Sequence, residues 1–167
     1  MKALTLWQPW ADAIRCGAKM FETRSFATRY RGELAIHASK HEPSCVTEHV
    51  AVSEAAQAIE RADKSSGCTH AHGAIIAVAS LLGCYPTDAI PEWYIDEAKG
   101  SRCEFRMRLV PMHKEEHALG DFSAGRFAWL FWVLSPVDPV VPCKGAQGLW
   151  TVPTDVEQLV RTRARLP

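Results

Sequence analysis

The sequence predicts an α+β fold in a single domain over residues 1–167. Three observations lead to this prediction. Short apolar segments with strand character alternate with segments whose apolar side chains recur at helical spacing. The chain contains no internal repeat and no linker between them. Its length is sufficient to bury one hydrophobic core.

The first predicted elements occupy the N-terminal quarter of the chain. They are strands at 3–6, 21–25 and 32–38 and a short helix at 9–16. Pro9 suits the first helical turn because its missing N–H would have no partner there. Gly17 suits the left-handed position that ends the helix.

The remaining predicted elements follow from periodicity and helix caps. They are a helix at 44–61, and strands at 74–84, 127–134 and 149–152. We expect Pro136, Pro139 and Pro142 to forbid regular pairing beyond residue 134, because proline donates no ladder hydrogen bond.

A final helix is predicted at about 155–164. Thr154 and Glu157 form a capping box at its start. Its apolar spacing directs three side chains inward, those of Val156, Leu159 and Val160.

Composition limits the functional class. The chain is 47% hydrophobic and 23% charged, which is ordinary for a globular protein. No apolar run approaches a membrane span, and residues 1–25 lack the order of a signal peptide, so we expect a cytoplasmic protein with no membrane association. Six cysteines without a C-x-x-C pair favour free thiols over disulfides or a zinc ribbon.

The charges balance, with 19 basic and 19 acidic side chains. This balance counts against a strongly electrostatic, non-specific nucleic-acid binder. Arg-x-Arg pairs nevertheless recur along the chain, and on a strand such a pair shares one face. A neutral protein with one positive surface is therefore compatible with the sequence.

Lys19, Glu22 and Arg24 form the most informative charge set. On a strand beginning at Phe21, Glu22 and Arg24 lie on one face, and Lys19 enters that face from the preceding loop. Lys and Arg bind phosphate or a base carbonyl, and a carboxylate accepts from an exocyclic amine. Because these side chains are polar, we expect their removal to affect binding more than folding.

The pattern Gly-x-Lys-x-x-Glu-x-Arg after a Gln-Pro-Trp helix resembles the ASCH domain, the homology domain of the activating signal cointegrator. Three later segments are similar to further parts of the family and occur in the same order: 29–38, 73–78 and 144–150. The resemblance implies a PUA-like fold, which is a small β-barrel with flanking helices. It also implies binding of nucleic acid, either RNA or single-stranded DNA. The residues that we expect to bind it are Trp7, Gln8, Lys19, Arg24, Ser25, Arg29, Arg31 and Lys144.

The alternative that the resemblance implies is a small hydrolase. Some small ASCH proteins are amidohydrolases on acylated cytidine that use a Lys, a Thr nucleophile and a Glu. Here Lys19 matches the Lys, but Glu22 stands where the Thr would fall, and Thr23 should face the other way. A loose alignment offers Asp121 as the acid, so a hydrolase or ribonuclease would be centred on Lys19, Glu22 and Asp121. A protein-interaction adaptor using the acidic helix at 44–61 is a third possibility.

No metal and no cofactor are expected. His113 to His117 spell H-x-x-E-H, but Pro111 and Gly120 confine any helix there to about two turns. Cys68, His70 and His72 match no usual structural zinc spacing. The sequence carries no signal for oligomeric state.

The tryptophans divide into two groups. Trp129 and Trp132 lie three apart in an apolar strand, so at least one of them belongs to the core. Trp7 ends a strand beside the charge set, where it is either a stacking platform for a base or a plug at the end of the barrel.

Overall fold

The computed structural model describes residues 1–41, 69–90, 94–95, 107–108 and 119–166. Within these ranges the chain forms strands and helices with the following bounds: β1 Lys2–Leu6, α1 Trp10–Arg15, β2 Phe21–Arg24, β3 Gly32–Ala38, β4 Ala74–Pro86, β5 Tyr94–Ile95, β6 Met107–Arg108, β7 Phe127–Pro142, β8 Leu149–Thr151 and α2 Thr154–Arg163.

Six strands form one sheet in the order β2-β7-β4-β3-β1-β8, and β5 pairs separately with β6. The pairing is antiparallel throughout the large sheet except between β1 and β3, which run parallel. The sheet curls strongly into a half-barrel. The predicted α+β fold with a small barrel and flanking helices is confirmed.

The two faces of the sheet carry separate apolar clusters. One packs α1 against the strands and includes Ile14, Trp129 and Phe131. The other packs α2 against the opposite side and includes Val137 and Val160. Trp129 is fully buried, which confirms that at least one tryptophan of β7 belongs to the core.

β7 continues past its prolines, so it is much longer than the strand predicted at 127–134. The expected irregularity is present, because Ala77 pairs with Pro136 whereas Ile75 pairs with Val141. The residues between Pro136 and Val141 therefore lie outside the ladder. The backbone carbonyls of this stretch accept hydrogen bonds from arginine side chains instead of from a neighbouring strand. Arg15 donates to the carbonyl of Val137, and Arg163 donates to those of Pro139 and Val140. These donors allow the strand to resume.

The final helix differs from its prediction at its start and on one face. It follows Pro153 with no side-chain cap, so the predicted capping box is wrong. Glu157 instead pairs with the amino group of Met1 and with Arg161. Val160 is buried, but Leu159 is 47% exposed, because the sheet contacts only the stripe that contains Val160 and Ala164.

Several predictions lie outside the described residues. They include the helix at 44–61, with the adaptor hypothesis that depends on it, and the His113–His117 pattern. No helix in the described part of the chain is long and apolar enough to span a membrane.

Candidate functional site

The connection from β1 to α1 is held by Gln8 and Asp12. Gln8 accepts from the backbone N–H of Asp12 at 3.1 Å, and its amide donates to the carboxylate of Asp12 and to the carbonyl of Ala71, both at 3.0 Å. The carboxylate of Asp12, which is buried, also accepts from Thr69 and His70. Gln8 was predicted to bind nucleic acid, but its side chain is buried and engaged in this framework.

Lys19, Glu22 and Arg24 come together as their spacing predicts. Gly17 has a φ of +78° and ends α1, so Lys19 enters from the loop beside β2. The Lys19 Nζ lies 3.5 Å from Glu22 Oε2, and the Arg24 Nε lies 3.3 Å from Glu22 Oε1. The carboxylate of Glu22 is therefore held between two cations.

Lys19 is nevertheless a buried residue. Only 1% of its side chain is exposed, and Nζ donates to the carbonyl of Leu119 at 2.6 Å. The expectation that its removal would spare the fold is therefore revised. Arg24 is more accessible, and its guanidinium donates to the carbonyl of Thr5 at 3.0 Å.

Asp121 lies beside this group on the segment that leads to β7. Its backbone N–H donates to Thr23 Oγ1 at 3.1 Å, and Thr23 is buried on the side of β2 opposite Glu22. The carboxylate of Asp121 accepts from Ser123 and pairs with Arg126. The hydrogen bond from Ser123, with a smaller contribution from Arg126, lowers the pKa of Asp121 below its usual value.

A cleft of about 1580 Å³ is lined by Glu22, Arg24, Asp121 and Arg126, and Lys19 is not among the residues that line it. Aromatic rings stand at its edge: Trp7 is 51% exposed and Phe26 is 41% exposed. The charged side chains lining the cleft, among the residues described, are Arg24, Lys40, Arg126, Lys144, Glu22 and Asp121. An aromatic and mainly basic groove is suited to a polyanion with flat, stackable groups.

The ordered motif agrees with what a comparison with protein families finds. The model of the ASCH domain matches residues 4–122. The chain belongs to the ASCH domain family. Membership of this family supports a PUA-like domain of either the RNA-binding or the hydrolase type. A comparison with curated proteins returned no match.

The family match ends before β7, β8 and α2. However, β7 pairs with β2 and β4 of this ASCH domain, and β8 pairs with β1. The later strands therefore complete the same sheet. A single domain over residues 1–167 stays a prediction, which this shared sheet supports.

The predicted binding residues of the ASCH domain do not all reach the cleft. Trp7, Arg24 and Lys144 line it. Ser25, Arg29 and Arg31 are exposed on the connection from β2 to β3, outside the residues that line the cleft. Arg31 donates to backbone carbonyls of that connection and directly precedes Gly32, at the opposite end of β3 from the cleft residue His37.

Sequence reasoning missed several residues that line the cleft, above all Phe26, Lys40 and Arg126. Phe26 follows the motif directly, and this proximity in sequence could have predicted its place at the cleft. Its ring meets Trp129 edge-on at 5.3 Å, and Trp129 Nε1 donates to its carbonyl at 3.2 Å. Lys40 and Arg126 carried no local signal, because only the pairing of distant strands brings them to the cleft.

His37 is a further buried residue in the wall of the cleft. Its Nε2 lies 3.1 Å from the carbonyl of Cys143, so Nε2 carries the proton and donates. Nδ1 is buried and has no hydrogen-bond partner among the residues that the structure describes. Gly145 is required beside it, because a Cβ there would lie 2.6 Å from Nδ1 and 2.8 Å from Thr5 Oγ1. The backbone of this segment closely approaches His37 and Thr5.

Burial lowers the pKa of His37. The folded state therefore disfavours the protonated imidazole, and the stability that comes from neutral His37 is complete above its unfolded pKa of about 6.5. We expect the thermal midpoint to fall as the pH drops from about 7 to 5, and His37→Gln to flatten this dependence. Midpoints measured by circular dichroism across this range test it. The lowered pKa values of Asp121 and Glu157 act only at more acidic pH, so an unchanged profile in His37→Gln would contradict the assignment.

No group of three or more His, Cys, Asp and Glu side chains within residues 1–41, 69–90 and 119–166 is placed to hold a metal ion. His70 and His72 are among these described residues, whereas Cys68 is not.

Proposed function

We propose that this ASCH domain binds an unpaired stretch of nucleic acid, RNA or single-stranded DNA, along the cleft. The observation that carries the proposal is the combination of exposed aromatic rings and basic side chains in one groove. Bases of a single strand present their faces to aromatic side chains, whereas bases inside a duplex are already stacked.

The aromatic contribution comes from Trp7 and Phe26. Trp7 has half of its surface available for a base. Phe26 is supported from behind by the edge-on ring of Trp129, which is fully buried. A supported ring loses little freedom when a base stacks on it, and such stacking contributes about 1–3 kcal/mol per base.

The electrostatic contribution is local. The chain has a formal net charge of zero, but the described side chains that line the cleft include more basic than acidic groups. A concave surface concentrates the potential of its own charges, so a neutral protein can attract phosphates at this groove. Because these basic side chains can contact only a few phosphates, we expect weak binding that decreases as salt increases.

The hydrolase alternative has less support from the geometry. Glu22 occupies the motif position where a hydroxyl nucleophile would be needed, and Lys19 already donates to a backbone carbonyl. The lowered pKa of Asp121 favours its ionised form, which cannot donate a proton as a general acid. We therefore favour binding over hydrolysis.

The experiment is fluorescence anisotropy with labelled single-stranded RNA and DNA at low and moderate salt. We expect both oligonucleotides to bind at low salt, and Trp7→Ala to weaken binding by about 1–3 kcal/mol through lost stacking. Leu134→Ala is the matched control, since Leu134 is 40% exposed and is not among the residues that line the cleft.

Two outcomes would contradict the proposal. One is no binding to any oligonucleotide at low salt. The other is turnover of RNA or an acylated cytidine, detected by chromatography, that is lost in Glu22→Gln; this result would favour the hydrolase.

A further inference from the structure

Three strand ends meet at one side of the cleft. β3 ends before Ser39, β4 begins after Gly73, and β7 ends before Cys143. Backbone bonds join them: Gly73 donates to Ala38 at 2.9 Å, and Cys143 donates to Gly73 at 3.0 Å. This junction places four side chains at the same edge of the sheet, a group that we name the strand-end cluster: Lys40, His41, His72 and Lys144.

The strand-end cluster is basic and accessible. Lys40 and Lys144 are exposed, and no ion pair involves either of them among the residues that the structure describes. The stem of Lys40 lies beside Gly73, since a Cβ on Gly73 would stand 3.6 Å from the Cβ of Lys40. His72 Nδ1 lies 3.1 Å from the carbonyl of Ser39, which ties the start of β4 to the end of β3.

The other side of the cleft has a different character. There the carboxylate of Glu22 lies between Lys19 and Arg24, and Asp121 pairs with Arg126. Thr5 connects the two sides, because its carbonyl accepts from Arg24 while its hydroxyl lies 2.8 Å from the position that a Cβ on Gly145 would occupy. An anion is therefore favoured at the strand-end cluster and disfavoured beside Glu22.

Trp7 lies next to the strand-end cluster. The backbone N–H of Ser39 donates to the carbonyl of Leu6 at 2.7 Å, so Trp7 and Lys40 are each one residue beyond this bond. A base stacked on Trp7 would have its own phosphate within the neighbourhood of Lys40. The ammonium group of lysine attracts a phosphate by its charge, and the ring N–H of histidine can donate a hydrogen bond to a phosphate oxygen.

We propose that the strand-end cluster is a phosphate-binding subsite that orients the ligand, with the phosphodiester at Lys40 and Lys144 and the base toward Trp7 and Glu22. As a subsite for a nucleic-acid strand it rests on the proposed function. A free phosphate group has the same chemistry, and the experiment distinguishes the two sources.

The test is the salt dependence of oligonucleotide binding in the double variant Lys40→Ala/Lys144→Ala. Each phosphate contact on a single strand contributes about 0.7 to the slope of log K against log salt, so we expect the slope to decrease by about 0.7–1.4. The control Lys2→Ala/Arg165→Ala removes the same charge outside the residues that line the cleft and should keep the slope. Trp7→Ala should lower the affinity and also keep the slope.

A second measurement separates this inference from the proposed function. Inorganic phosphate is titrated into the labelled protein while the amide resonances of Gly73 and Gly145 are followed by NMR. We expect both resonances to shift in the wild type and not in the double variant. Phosphate-dependent shifts without any oligonucleotide binding would keep the subsite but assign it to a free phosphate group. Oligonucleotide binding with an unchanged slope in the double variant, or no binding of either probe, would overturn the subsite.

Discussion

Trp129→Ala is expected to lower the free energy of unfolding by about 3–5 kcal/mol, the usual range for removing a large aromatic side chain from a core. Trp129 is fully buried and belongs to the same apolar cluster as Ile14 of α1. In a chain of this length the change corresponds to a fall in thermal midpoint on the order of 10 °C. Denaturant unfolding monitored by circular dichroism measures it.

Trp132→Ala provides the matched control on the same strand. Trp132 is only half-buried, so its removal should cost clearly less than that of Trp129. Trp129 also supports Phe26 through a ring contact and a hydrogen bond. Under conditions in which the Trp129→Ala variant remains folded, we therefore expect it to bind oligonucleotides more weakly as well. Equal loss of stability in the two variants would contradict the assignment of Trp129 as the core residue.

The N-terminal elements could be predicted because their signals are local. Gly17 ends α1 in a left-handed conformation, and the alternation along β2 places Glu22 and Arg24 on one face. Both features depend on neighbours within a few residues. The motif was therefore predicted correctly as a charge set that shares one face.

The burial of Lys19 could not be predicted in the same way. Its amine donates to the carbonyl of Leu119, which is 100 residues away in the chain. The continuation of β7 past its prolines likewise depends on donors from Arg15 and Arg163, which approach from two different helices. Such contacts cannot be predicted from neighbouring residues, because they depend on the order of the strands in the sheet, which the whole chain determines.

The same reason explains which part of the candidate cleft was missed. Lys40 reaches it from the end of β3 and Arg126 from the segment before β7, and neither lies near the motif in sequence. Conversely, Arg29 and Arg31 follow the motif closely, but the chain leaves the cleft along the connection to β3. Phe26, which directly follows the motif and lines the cleft, was missed, whereas the two arginines were wrongly placed at the cleft because of their proximity in sequence.

Lys19→Ala is expected to destabilise the fold by about 3 kcal/mol, the lower end for breaking a buried ion pair, because Glu22 keeps Arg24 as a partner. The substitution also leaves the carbonyl of Leu119 without its donor and opens space beneath the motif. Lys19→Met should be less destabilising, since it retains most of the buried stem. Thermal and denaturant unfolding of both variants measure the difference.

The charge contribution of Lys19 can be separated from its packing with one further variant. In Lys19→Met/Glu22→Gln the carboxylate that loses its cation is neutralised as well, so part of the stability lost in Lys19→Met should return. If solvent already screens the Glu22 carboxylate from Lys19, the double variant would be no more stable than Lys19→Met, which would contradict a buried ion pair. If Lys19→Ala instead leaves the thermal midpoint unchanged and abolishes oligonucleotide binding, the amine is open to the ligand. The segment at Leu119 would then have to move away when the strand binds, and Lys19 would belong to the binding surface rather than to the scaffold beneath it.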